Sequence, residues 1–102
     1  MTLDPFSPRA ARELEAAAER IAEDRPAAAE AFLQTALKAA ARVVARPHLG
    51  IVRPYLPPRY RFWPLKRYSY LLVHDTMAEP VLILRVVHMR RDLPRVLAHL
   101  RD

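Results

Sequence analysis

Four residues in the second half of the chain could do chemistry together: Lys66, Arg67, Arg85 and His88. Arg85 lies inside the apolar run 81–88, and His88 ends that run. RNA cleavage requires a base near the 2′-hydroxyl, an acid for the leaving oxygen and cations around the phosphate. If the protein is a nuclease, these four residues are therefore its candidate catalytic set.

The alternation of side chains along a strand argues against that set. In a regular strand, residues 81, 83, 85 and 87 share one face, and residues 82, 84, 86 and 88 share the other. Arg85 and His88 then point in opposite directions and cannot meet one phosphate unless the strand is bulged. We expect His88 to bond a carboxylate such as Asp92, and we expect no catalytic residues.

Two alanine-rich segments predict helices that form an antiparallel hairpin. Ser7 and Pro8 provide an N-cap and a first-turn proline, and Pro26 begins the second helix in the same way. The second helix should end at Arg46, with Gly50 at the exit. The predicted buried positions are Ala11, Leu14, Ala17, Ala18 and Ile21 in the first helix, and Ala29, Phe32, Leu33, Ala36, Leu37, Ala40, Val43 and Val44 in the second.

The second half of the sequence predicts strands. A short strand is expected around residues 59–63, within a proline-rich loop, and residues 68–75 and 81–88 should pair as an antiparallel hairpin. Asp92 could cap a final helix over residues 93–100, and residues 1–6 could form an edge strand. The prediction is one α+β domain over residues 1–102, with the helical hairpin packed on a three- to four-stranded antiparallel sheet in the order β-α-α-β-β-β-α.

The charge of the chain is unevenly distributed. Up to Gly50, seven basic residues are matched by seven acidic ones, whereas ten basic residues face four acidic ones from Ile51 onward. This asymmetry favours an anionic partner. Aromatic residues alternate with arginines between Arg59 and Tyr70, and such rings can stack on bases. A half-buried sheet contains the same residue types, and we give that interpretation precedence.

Several classes of protein and site are excluded or disfavoured by the sequence. The chain has no cysteine, so it has no disulfide framework and no cysteine-based metal site. Its four histidines are too scattered to indicate a metal site, and we expect neither a metal nor a cofactor. It shows no signal-peptide pattern and no apolar run near the ~18 residues of a membrane span. We therefore expect a cytoplasmic protein without a membrane partner.

Segments along nearly the whole chain resemble the RelE/ParE toxins of bacterial type II toxin–antitoxin pairs. Those that carry the resemblance are residues 7–15, 21–29, Phe32-Leu33, 46–50, Lys66-Arg67-Tyr68 and 83–93. They look closer to the ParE branch than to the ribosome-dependent nuclease branch. The ParE resemblance implies a toxin that inhibits DNA gyrase and is held inactive by a ParD-like antitoxin. The chain departs from its relatives at Arg25 and Lys66.

Two function classes follow from the residues and the resemblance. The first is a binding inhibitor with no chemistry of its own, and the alternative is an endoribonuclease acting on ribosome-bound mRNA; an inactive relative kept as a partner of its antitoxin is a weaker third. For the inhibitor we expect a hetero-oligomeric complex with the antitoxin. The expected target-binding residues are Lys66, Arg67, Arg85, Arg90 and Arg91, and the expected antitoxin-binding residues are Leu14, Ile21, Trp63, Tyr68 and Tyr70.

Overall fold

The computed structural model describes residues 5–101, and it has the predicted α+β architecture. In chain order the elements are α1 (Pro8–Asp24), α2 (Pro26–Ala45), β1 (Tyr60–Leu65), a 3₁₀ turn (Lys66–Tyr68), β2 (Tyr70–Asp75), β3 (Leu82–His88), α3 (Leu93–Val96) and a second 3₁₀ turn (Ala98–Leu100). The three strands form one antiparallel sheet in the order β1-β2-β3. The predicted helical hairpin on a three-stranded sheet is therefore confirmed.

The predicted lead-in strand lies only partly within the described residues, because residues 1–4 fall outside them. Phe6 makes a single parallel bridge to Ile83 of β3. The Ile83 amide donates to the Pro5 carbonyl at 2.9 Å, and the Ser7 amide donates to the Ile83 carbonyl at 2.9 Å. Where it is described, the lead-in is thus one bridge at the edge of β3 rather than a strand.

The helix starts follow from the local sequence. The Ser7 hydroxyl accepts a hydrogen bond from the Ala10 amide at 3.1 Å, and so caps α1 as predicted. Only Arg25 separates α1 from Pro26, the first residue of α2. The predicted buried face of α2 is wrong at Leu37 and Val44, which are each 37% exposed. A helix that packs on one face of a sheet buries a narrower stripe than the apolar residues of α2 would fill.

Two hydrophobic cores lie on the two faces of the sheet. The helix-side core joins α1 and α2 to the sheet and contains Leu14, Phe32 and Leu72. The opposite core lies under the loop before β1 and the C-terminal segment, and it contains Phe62 and Leu97. Both faces of the short sheet are therefore covered, and β2 is buried along its whole length.

The edge strand β1 is longer than predicted. It runs through Pro64, whose Cα pairs with that of Leu71 on β2. A proline is tolerated there because β1 is an edge strand, so the missing N–H breaks no ladder between two neighbours. Trp63 of this strand is partly buried and packs against the helix-side core.

A bulge interrupts the pairing of β2 with β3. The register shifts between Val73 and His74, which leaves Leu84 without a partner on β2. As a result Ile83 and Val86 both join the helix-side core, although strict alternation predicts opposite faces for them. The bulge lies directly before Arg85 on β3.

Gly50 allows the chain to turn closely against β1. Its φ is +105°, and a Cβ at this position would lie 2.8 Å from the Phe62 carbonyl oxygen. The neighbouring Ile51 exchanges two backbone hydrogen bonds with Phe62, at 2.8 and 2.9 Å. The sequence placed Gly50 at the exit from α2, and the structure adds that only glycine fits there.

The C-terminal segment is less helical than predicted. The helix expected over residues 93–100 is a single turn, α3, followed by a 3₁₀ turn. The side chain of Asp92 makes no capping hydrogen bond, and only its backbone carbonyl accepts from the Val96 amide at 2.9 Å. Leu97 and Leu100 are nevertheless buried, so the segment is fixed by packing on the opposite core.

Candidate functional site

One end of the sheet collects most of the predicted target-binding residues. Tyr70 of β2 pairs with His88 of β3, and the Met89 amide donates to the Ser69 carbonyl at 2.8 Å. The 3₁₀ turn between β1 and β2 therefore lies beside the chain that leaves β3. This pairing brings four exposed cations to the same end of the sheet: Lys66 and Arg67 on the turn, and Arg90 and Arg91 after β3. We call these four residues the basic sheet end.

A groove opens between this end of the sheet and the bend of the helical hairpin. Its volume is about 670 Å³, and we call it the basic groove. The α1 and α2 side contributes Arg20, Ile21, Asp24, Arg25, Ala27, Ala28 and Ala31, and the sheet side contributes Arg67, Tyr68, Tyr70 and His88. The groove thus brings together residues that the sequence analysis assigned separately to a target, to an antitoxin and to nuclease chemistry.

Aromatic rings form the floor of the basic groove. The rings of Tyr70 and His88 meet edge to face, with centroids 5.0 Å apart, and the ring of Tyr68 meets Phe32 in the same way at 5.2 Å. Such edge-to-face contacts fix ring orientations and add modestly to burial. The floor is therefore a rigid aromatic surface anchored on the helix-side core.

His88 has a different partner from the one predicted. Its Nδ1 accepts a hydrogen bond from the Arg90 amide at 3.1 Å, so this nitrogen is unprotonated in that contact. The expected bond to the Asp92 carboxylate is not made, because the chain turns after His88 and brings the Arg90 amide to the ring first. The second nitrogen, Nε2, is the one that remains for a ligand.

Cations dominate the rim of the basic groove. Arg20, Arg25 and Arg67 stand against a single acid, Asp24. The sequence analysis did not assign Arg20 or Arg25 to a site. Arg20 lies near the end of α1, and Arg25 lies between the two helices. Both come close to the sheet end only when the chain folds. The hairpin bend near Pro26 was the available signal that these two arginines share one end of the molecule.

Arg85 does not belong to the basic sheet end. It is only 3% exposed, and its guanidinium forms a two-armed ion pair with Glu13 of α1, Nε to Oε1 at 3.0 Å and Nη2 to Oε2 at 2.8 Å. Its Nη1 donates to the Val96 carbonyl at 3.1 Å. Arg85 was expected among the target-binding residues, but its buried guanidinium is paired within the fold, so we leave it out of the exposed basic surface.

Glu13 is a residue that the sequence analysis did not single out. Besides Arg85, its carboxylate accepts a hydrogen bond from the Val86 amide at 2.9 Å. One carboxylate thus satisfies a buried cation and a backbone amide beside the bulge of β3. Arg85 and His88 lie in different surroundings, as the strand pattern predicted. Of these two residues, only His88 lines the basic groove.

A second polar cluster lies at the other end of the sheet. Arg59 Nε donates to Asp75 Oδ1 at 2.9 Å, and His74 Nε2 lies 2.7 Å from the Pro47 carbonyl. Burial lowers the pKa of His74, and its Nδ1 is buried with no hydrogen-bond partner. Burial raises the pKa of Asp75, but the hydrogen bonds from Arg59 and the Met77 amide outweigh it, so the pKa lies below its usual value. This cluster supports the fold, and none of these residues lines the basic groove.

Within the described residues, no group of three or more acidic or histidine side chains is placed to hold a metal ion. Over the same residues, no helix combines the length and the apolar character that a membrane span requires. His74 is fully buried, and His88 lines the basic groove.

A protein-family model described as the ParE toxin of the type II toxin–antitoxin system, parDE, matches residues 5–93. The chain belongs to the ParE toxin family. It is therefore the toxin of a type II pair, and its family implies an antitoxin as partner. No curated protein matches the chain.

The ParE fold of this chain leaves only part of the predicted antitoxin-binding set accessible. Leu14 is fully buried and Tyr70 is 6% exposed, so in this structure Leu14 offers no surface to a partner and Tyr70 offers little. Ile21, Trp63 and Tyr68 are partly exposed around the helix-side core. Four further apolar residues are exposed on α2 and on the loop that follows it, and the sequence analysis assigned none of them to the antitoxin: Leu37, Val44, Ile51 and Val52.

Proposed function

We propose that this ParE-family toxin inhibits DNA gyrase by binding it, without chemistry of its own, and that a ParD-like antitoxin neutralises it. The observation that carries the proposal is the basic sheet end, where Lys66, Arg67, Arg90 and Arg91 are exposed together. Arginine contacts carboxylates and phosphates with two parallel hydrogen bonds. Gyrase bound to DNA offers both kinds of group.

The absence of chemistry is argued from the candidate catalytic set. Arg85 is engaged by Glu13, and Nδ1 of His88 is engaged by the Arg90 amide. Of the four candidate catalytic residues, only Arg67 and His88 line the basic groove, and His88 has one ring nitrogen left for chemistry. General acid–base cleavage needs two proton-transfer groups and a cation for the developing charge, so the set is incomplete.

The antitoxin is proposed to cover the accessible apolar residues of the helix side. Ile21, Trp63 and Tyr68 offer contacts for an amphipathic helix, and an acidic tail would meet the nearby cations. A stable complex of this kind buries more than ~1,200 Å². Co-expression with the small gene next to the toxin gene should give a hetero-oligomer on size exclusion. Its absence would count against a ParD-like partner. Both the antitoxin and gyrase would place the toxin in the cytoplasm.

A RelE-like endoribonuclease is the second candidate. It is favoured by one observation, which is that Arg67, Tyr68 and His88 share the basic groove. In that case His88 Nε2 would transfer a proton to or from the RNA, and Arg67 would bind the phosphate.

The experiment that separates the two candidates compares two activities of the purified toxin. Gyrase supercoiling should be inhibited, and mRNA on programmed ribosomes should stay intact. Ribosome-dependent cleavage that is lost in His88→Ala would overturn the binding-inhibitor proposal and support the nuclease.

A further inference from the structure

We propose that the basic groove binds a single-stranded nucleic acid, with a phosphate at Arg67 and a base against the rings of Tyr68 and His88. This goes beyond gyrase inhibition, since it concerns a ligand of the toxin itself. At about 670 Å³, the groove has the size of ordinary small-ligand sites, ~300–1,000 Å³, and can take a nucleotide.

The charge of the groove fits a phosphate. Arg67 comes from the sheet side and Arg20 and Arg25 from the helix side, so cations approach the space from two directions. Asp24 is the single acid in the lining, and the net charge of the rim stays positive. Planar guanidinium groups bind phosphate oxygens in pairs, and they also stack on aromatic rings and bases.

The shape and the lining of the groove fit a base. The part of the helix wall that belongs to α2 consists of alanines, Ala27, Ala28 and Ala31, and their short side chains leave space in front of the aromatic floor. Tyr68 and His88 are each half-buried and held by edge-to-face contacts, so their orientation is set before a ligand arrives. Bases stack on such rings without regard to sequence, because every base has a π-face.

A peptide strand fits the groove less well. An extended peptide gains affinity by main-chain hydrogen bonds to a free sheet edge. The strand residues in the lining are Tyr70 and His88, which already pair with each other, and β1 contributes none. The outer edge of β3 is engaged at Ile83 by Pro5 and Ser7 and at the Val86 amide by Glu13. A nucleotide needs no main-chain partner, since its phosphate and base are met by side chains.

The test measures binding of a labelled oligothymidylate and an oligouridylate of equal length by fluorescence anisotropy, with the intact toxin and neither gyrase nor ribosomes present. Arg67→Ala removes the phosphate contact, and Tyr68→Leu removes the ring but keeps an apolar side chain over Phe32. Arg46→Ala is the matched control, because this exposed arginine follows the opposite end of α2 from the groove. Thermal melting confirms that each variant is folded.

The wild type should bind both strands, and Arg67→Ala and Tyr68→Leu should each weaken binding by on the order of tenfold. Arg67→Ala should also reduce the slope of log affinity against log salt by about 0.7. Arg46→Ala should bind like the wild type. A preference for RNA or DNA would identify the strand and support the site in either case.

Three results would overturn the inference. The wild type could bind neither strand, the folded groove variants could bind like the wild type, or Arg46→Ala could lose as much affinity as Arg67→Ala. The same variants tested against the antitoxin provide a further check. If they weaken the antitoxin complex but leave oligonucleotide binding unchanged, the groove is a protein-binding site instead. Because gyrase is not in the assay, failure here leaves the proposed inhibition of gyrase untouched.

Discussion

Glu13 holds the guanidinium of Arg85 with both carboxylate oxygens, across 72 positions of sequence. The pair ties the first helix to the last strand, and the Val96 carbonyl extends the contact to the C-terminal segment. Glu13 also accepts from the Val86 amide, so the bulged strand depends on the same carboxylate. Arg85 therefore serves the fold, and the exposed arginines near it in sequence are the ones left for partners.

Removing the charge of Glu13 should destabilise the protein. Glu13→Gln leaves the buried Arg85 cation without its counter-charge, and we expect the free energy of unfolding to fall by about 2–4 kcal/mol. Chemical denaturation measures this change. The exposed neighbour Glu15 provides the control, since Glu15→Gln should change stability by less than ~0.5 kcal/mol. Equal effects of the two substitutions would mean that the buried pair contributes nothing.

Substitutions of Arg85 and Arg67 should have different effects on stability and on toxicity. Arg85→Ala leaves the Glu13 carboxylate half-buried and unpaired, so we expect the melting temperature and growth arrest to fall together. Arg67→Ala changes an exposed side chain, so growth arrest should weaken while melting stays near that of the wild type. Both are measured by expression in cells and by melting of the purified variants. An Arg85→Ala protein that melts like the wild type and is still non-toxic would return Arg85 to the target-binding surface.

Stability should decline as the pH falls below about 6.5, in part because of His74. Burial lowers the pKa of this residue in the folded chain below its ordinary value of 6.5. The unfolded chain therefore takes up the proton first, and the stability that neutral His74 provides is complete above pH 6.5 and is lost toward the lowered pKa. Protonation would also place a hydrogen on Nδ1, which has no partner.

A comparison of His74→Gln with the wild type isolates that contribution. The variant should be less stable at neutral pH, but its stability should fall less steeply between pH 6.5 and the onset of carboxylate protonation. His99 acts in the same direction, since burial and the charge of Arg85 lower its pKa as well, and it is present in both proteins. Parallel pH profiles for the two proteins would show that His74 does not titrate in this range.

Two backbone positions should respond in opposite ways to substitution. Gly50→Ala brings a methyl group to 2.8 Å from the Phe62 carbonyl at a φ of +105°, so it should cost about 1–3 kcal/mol of stability. Ser69 has a φ of +60°, where glycine is favoured, so Ser69→Gly should be neutral or slightly stabilising. Denaturant titrations of both variants test this. A neutral Gly50→Ala would show that the loop can move away from β1.

The fold was largely predictable because local signals marked its elements. Ser7, Pro8 and Pro26 fixed the helix starts, and the change from helical to alternating periodicity marked the strands. The bulge near Leu84 was not predictable, because it arises from pairing between β2 and β3 and has no local signature. The predicted C-terminal helix was too long for a related reason. The leucines of this segment are buried because it packs on the sheet, and not because it forms a long helix.

The candidate site was predictable only in part. Charge asymmetry pointed to the second half of the chain, and Lys66, Arg67, Arg90 and Arg91 are exposed there. The pairing of Arg85 with Glu13 could not be read from sequence, because buried and exposed arginines look alike in an alternating strand. The basic groove could not be predicted from the sequence either, because its walls come from segments that meet only after folding.

Inhibition of gyrase supercoiling by the purified toxin is the most direct test of whether the basic sheet end recognises gyrase. We predict that the wild type and Arg46→Ala inhibit supercoiling equally, and that the antitoxin reverses the inhibition. The double variants Lys66→Ala/Arg67→Ala and Arg90→Ala/Arg91→Ala should each need on the order of tenfold or more toxin for the same effect while melting like the wild type. Supercoiling that proceeds unchanged with wild-type toxin, or inhibition that survives in both folded double variants, would contradict the assignment.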